Sequence, residues 1–134
     1  MKQLRPALLL CTSLLMVACG KDTPKPEPDL LGRWNAESTE GFNYSASGKL
    51  ESQVMQVTKD YYMVITQDSL SYRELLNGSD WGKAKYTRQG NEIRYGTAHG
   101  TITELTEHAL TLRFVDPYKK PNTPYQEVED HYTR

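Results

Sequence analysis

From residue 30 to the C-terminus, short runs of β-forming residues alternate polar and apolar positions, with turn residues between them. No helical stripe of useful length interrupts the pattern. This period of two constrains the fold more than any other feature, because it sends alternate side chains to opposite faces of a strand. The runs fall at 30–38, 49–58, 61–66, 70–75, 83–89, 92–95, 101–105, 109–115 and 125–134. Gln67-Asp68-Ser69, Asn77-Gly78-Ser79-Asp80 and Gln89-Gly90-Asn91 supply strong turn chemistry, the last in the style of a tight hairpin. Residues 40–47 read either as a loop or as the remnant of a first crossover. The pattern predicts an all-β, up-and-down antiparallel meander. Closing it into a small barrel of about eight strands removes the exposed edges that an open sheet would carry.

Composition narrows the functions such a barrel can serve. The 134 residues make one domain, and 16 basic against 17 acidic residues leave a formal net charge of −1. No basic field exists to hold nucleic acid. Aromatic residues are biased, with nine Tyr against two Phe. That bias suits half-buried strands, where a ring packs while its hydroxyl stays hydrogen-bonded.

The N-terminus carries an address. Lys2 and Arg5 form a basic start, and residues 7–17 an apolar run too short for a bilayer, which takes about 20 residues. The run ends in Leu15-Met16-Val17-Ala18-Cys19-Gly20, which resembles a bacterial lipobox. Its chemistry needs the Cys19 thiol to take a diacylglycerol and the small Ala18 to admit the peptidase. Cys11 fails the same test, since Leu10 precedes it. An ordinary secretory site would want a small residue where Met16 stands. Residues 1–18 therefore read as a lipoprotein signal peptide. Residues 19–29 read as a lipidated Cys19 followed by a Pro-rich tether, whose alternating prolines favour polyproline II. Residues 30–134 are the barrel domain. The expected location is the bacterial cell envelope, lipid-anchored in the outer membrane, with the membrane itself as a partner.

Several segments of the domain resemble a known family. Leu31-Gly32-Arg33-Trp34 opens it with Gly-x-Trp, and Tyr86-Thr87-Arg88-Gln89-Gly90-Asn91-Glu92-Ile93 resembles a mid-domain hairpin. The run from Ile102 to Leu112 follows an Ile-x-x-Leu-Thr-x-x-x-Leu-x-Leu pattern, and Tyr132-Thr133-Arg134 resembles a closing strand. Together they are similar to the bacterial lipocalin-like domain family. The Thr-Asp-Tyr motif of typical lipocalins has no counterpart here. The resemblance implies a closed eight-stranded barrel in which a terminal Arg lies across the Gly-x-Trp indole. Strand parity selects Arg134 for that part, because it shares a face with Val128, Asp130 and Tyr132, whereas Arg113 points outward. Gly32, Trp34 and Arg134 are thus the expected barrel closure.

Catalytic motifs are missing from the sequence: no Gly-x-Ser-x-Gly, His-Glu-x-x-His, Cys-x-x-Cys or phosphate-binding glycine loop occurs. The protein reads as a non-enzyme with no cofactor. His131 shares a strand face with Glu127 and Glu129, which reads as a wet outer face and not as a metal site. Lys119 and Lys120 read as a solvated turn. The tyrosines carry the functional expectation. Alternation turns Tyr72, Tyr86, Tyr95 and Tyr132 inward, and the small Ala84 beside Tyr86 leaves room for a guest. An interior void of about 300 Å³ or more would mark a carrier of a small hydrophobic or amphipathic ligand. A filled barrel with an exposed apolar loop patch would mark a structural module that engages an envelope protein partner.

Overall fold

A computed structural model describes residues 29–134. The signal peptide, Cys19 and all of the tether but Asp29 lie outside the described residues. Nine antiparallel strands follow one another: β1 (Gly32–Tyr44), β2 (Leu50–Val57), β3 (Tyr61–Ile65), β4 (Ser69–Glu74), β5 (Asp80–Gln89), β6 (Glu92–Tyr95), β7 (Ala98–Leu105), β8 (Ala109–Val115) and β9 (Tyr125–Thr133). Eight of them close a barrel in the order β1-β3-β4-β5-β6-β7-β8-β9, and β9 pairs back onto β1. The extra strand is β2, which pairs with β1 alone.

The length of β1 explains this departure from a plain meander. One edge of its 13 residues pairs with β9 over 35–44. The other edge is shared, with β3 taking 32–35 and β2 taking 38–44. The handover comes at Glu37, where β1 carries an extra residue against β9 and the Glu37 carbonyl accepts the Thr58 N–H at 3.2 Å. Such a bulge resets parity, so Trp34 and Ala36 point inward before it and Thr39 and Gly41 after it. Residues 40–47 are accordingly neither loop nor crossover. They are the second half of β1 and most of a hairpin turn closed by Ser45 and Lys49, whose N–H and C=O meet at 2.8 Å.

The inward faces form one core of Leu30, Trp34, Ala36, Met63, Ile65, Leu70, Ile93, Ile102, Leu110, Leu112 and Tyr132. Alternation along β8 carries Leu110, Leu112 and Phe114 into it. Gly100 on β7 faces Phe114 across the ladder, and a Cβ there would run into the Phe114 ring. Only glycine lets β7 pass under that ring. On the outer face Arg113 donates to Glu127 and Glu129 on the neighbouring β9 and to the Tyr44 hydroxyl on β1. Strand direction gathers the chain start, the turns at 66–69 and 106–108 and the C-terminus at one end, the floor. The hairpin at 45–49 and the loops at 75–79 and 116–124 gather at the other, the rim.

Candidate functional site

At the floor, Trp34 is fully buried and its Nε1–H donates to the Leu30 carbonyl at 2.8 Å. The Arg134 guanidinium lies 4.2 Å from the indole centroid. Its nitrogens also donate to the carbonyls of Glu107, Leu31 and Asp29 at 2.7, 3.0 and 2.9 Å. One cation therefore ties the chain start to the β7–β8 turn while covering the ring. Gly32 adopts φ +120°, a conformation L side chains rarely take, and a Cβ there would sit 3.7 Å from the guanidinium. These three residues meet at the floor.

Toward the rim the interior changes character. Tyr61, Tyr72, Tyr95, Tyr132 and Phe114 form a continuous set of rings with centroids 5.9 to 6.4 Å apart, mostly edge to face. Their hydroxyls pair with each other, Tyr72 with Tyr95 at 2.8 Å and Tyr61 with Tyr132 at 3.4 Å. Burial pushes the Tyr95 hydroxyl up to about 12 and raises those of Tyr72, Tyr132 and Tyr61. All four are therefore neutral phenols at physiological pH, able to donate or accept.

Beside them stands Asp130, inward on β9 and partly exposed. Burial raises its carboxyl, and the Thr39 hydroxyl opposes this by donating to it at 2.7 Å. Among the described residues no Lys or Arg forms an ion pair with it. Trp81, at the start of β5, tilts against Tyr61 at 5.5 Å and is 53% exposed. Val54, in register with inward Gly41, is 61% exposed. The rim is thus an aromatic and apolar surface over a bed of hydroxyls and one carboxylate.

The structure brings together Tyr72, Tyr95 and Tyr132 from the expected set and separates the others. Tyr86 donates its hydroxyl to the Thr66 carbonyl at 2.9 Å, on the β3–β4 turn at the floor. Ala84 pairs with the core residue Leu70. Sequence reading missed Tyr61, Trp81 and Asp130. The alternation Tyr61, Met63, Ile65 carries the signal for Tyr61, since the last two are core residues. For Asp130 the signal is its parity with Tyr132.

Surface recesses flank the barrel. One of about 420 Å³ lies between 46–48 and 119–125, and one of about 350 Å³ beside His99, Arg113 and Pro117. A smaller one of about 120 Å³ is bounded by Thr87, Gln89, Glu92 and Arg94. None of the three is lined by an inward tyrosine. Below the rings lies the core of aliphatic side chains and Trp34.

No family profile and no curated protein match this chain. Among solved structures, a lipocalin-like protein from Bacteroides uniformis is similar to it, with a TM-score of 0.47 and 13% identity over 78% of this chain and 97% of that one. The barrel assignment rests on the strand register of this chain itself.

Proposed function

We propose that the protein is a lipid-anchored lipoprotein of the bacterial cell envelope that binds a small amphipathic molecule, without catalysis, at the rim of its barrel. The observation that carries the reading is the partly exposed Asp130 carboxylate, which among the described residues pairs with no Lys or Arg and lies near Tyr61, the ring on which the exposed Trp81 rests. Apolar surface above and hydrogen-bonding groups below suit a molecule with an apolar body and a donor at its polar end. The interaction-module reading draws on a different observation. Leu50, Val54, Met55 and Val57 on β2 are exposed, as is Leu76 in the loop between β4 and β5.

A pair of probes separates the two. A medium-chain alkylamine and the matching fatty acid are titrated into the soluble Cys19→Ala protein, with tryptophan fluorescence and melting temperature recorded. The binding reading expects both signals to move, the amine acting at lower concentration because its ammonium meets Asp130. Trp81→Phe should remove most of the fluorescence change, since Trp34, the other of the two tryptophans, lies at the floor. Silence in both signals with both probes rejects ligand binding and leaves the filled-barrel module. The anchor has its own test: Cys19→Ala should move the protein from membranes to the soluble envelope fraction. Retention on membranes after a high-salt wash would show the lipid assignment to be wrong.

A further inference from the structure

We propose that Glu40, Glu129 and His131 form a binding site for one divalent transition-metal ion, of the zinc class, on the outer wall of the barrel. The site is separate from the rim and does not depend on the ligand reading. Glu40 on β1 and Glu129 on β9 are register partners, and His131 lies two residues further along β9, so all three project from one face. A carboxylate oxygen of each glutamate and a ring nitrogen of the histidine lie within 4.8 Å of one another. Small side-chain rotations would bring them to the separations of about 3.3 Å that metal–ligand bonds of about 2.0–2.2 Å require.

The hydrogen bonds around His131 prepare it as a ligand. The Thr111 hydroxyl lies 3.2 Å from a Glu104 carboxylate oxygen and 3.2 Å from His131 Nδ1. The carboxylate only accepts, so the single hydroxyl proton goes to Glu104 and the oxygen lone pair accepts Nδ1–H. In the neutral ring that leaves Nε2 bare. Nε2 is buried and has no hydrogen-bond partner. A buried bare lone pair on a ring that lies beside two carboxylates is an arrangement that suits a cation.

The glutamates are held in a similar way. Glu129 Oε1 accepts from Arg113 at 3.1 Å, and Glu40 Oε2 accepts from Gln53 at 3.0 Å, which leaves the second oxygen of each for a metal. One imidazole and two carboxylates, with a net charge of −2, match a borderline divalent ion and leave a fourth position for water. The competing occupant is a proton on Nε2, donated to one of the glutamates.

Metal binding to the full-length protein in detergent, stripped with chelator beforehand, distinguishes the two. Zinc is titrated by calorimetry, and cobalt is followed by its visible absorption. The expected result is one equivalent bound, with the tetrahedral cobalt bands and a raised melting temperature. Glu40→Gln should weaken zinc by at least about tenfold, and His131→Ala should abolish the cobalt bands. Thr111→Val should also weaken the metal, because it frees the tautomer. Glu92→Gln, on β6 and paired with His99 away from the three ligands, should leave affinity unchanged. Absence of stoichiometric zinc and cobalt binding overturns the proposal. So does binding that survives both Glu40→Gln and His131→Ala intact, and should His131→Ala fail to fold, Glu40→Gln decides alone.

Discussion

The two tryptophans mark the two ends of the barrel. Trp34 at the floor is fully buried, its N–H satisfied by Leu30 and its face covered by Arg134. Trp81 at the rim is 53% exposed and rests on Tyr61. Trp34 is enclosed by the core and by Arg134; Trp81 meets Tyr61 and otherwise faces water. The floor spends its side chains on stability, since Trp34, Leu30, Ile65 and Leu110 there are removed from water. The rim leaves apolar surface wet and polar groups buried, a combination that costs stability and is expected where something binds. The difference can be broken or sharpened by substitutions at each end.

Trp34→Ala should have the largest effect, a loss of about 3–5 kcal/mol from removing a buried indole, measured by chemical denaturation. Equal losses for Trp34→Ala and Trp81→Ala would erase the contrast between floor and rim. Alkaline pH should strike the other end. Burial raises the Tyr72 and Tyr95 hydroxyls, so the folded state holds these protons more tightly than the unfolded chain. Their contribution is complete below the unfolded value of about 10 and is lost as pH rises through the folded one. Phenolate absorbance from these rings should therefore emerge only near or above pH 12, together with loss of near-ultraviolet dichroism. A full set of phenolates by about pH 10.5 in a still-folded protein would contradict their burial.

Arg134→Ala should cost about 1–2 kcal/mol, through the cation–π contact and the three carbonyls it gathers. Combined with Trp34→Phe, the losses should fall short of additive, because the two residues share one contact. Strict additivity in that cycle would show the pair to be energetically independent. Tyr72→Phe should cost about 0.5–1.5 kcal/mol, since it strips a partner from the Tyr95 hydroxyl. Tyr86→Phe should be the mildest, at under about 0.5 kcal/mol, because its bond to Thr66 lies at an exposed position where water replaces it. Probe binding should survive it unchanged; a loss there would move the binding surface from the rim to the floor.

Much of this was legible from alternation. Period-two patterning on 109–115 and 125–134 places Leu110, Leu112, Asp130, Tyr132 and Arg134 on one face and Arg113 and His131 on the other, because strand parity is a local geometric property. Barrel closure is expected because it removes exposed strand edges, and the contact of a terminal Arg with Trp34 is implied by the family resemblance, with parity choosing Arg134 over Arg113. The tertiary structure alone decided three other matters. It placed β2 outside the ring, since whether an edge of β1 goes to β2 or β3 depends on a bulge at Glu37 that no local pattern announces. It sent Tyr86 to the floor and brought Tyr61 to the rim, because parity gives a side chain its face but not its height in a tilted barrel. And it set Glu40 beside Glu129 and His131 as it set Thr39 beside Asp130, 91 positions apart. Alternation says which way each strand faces; only the long-range register of β1 against β9 says which residues meet.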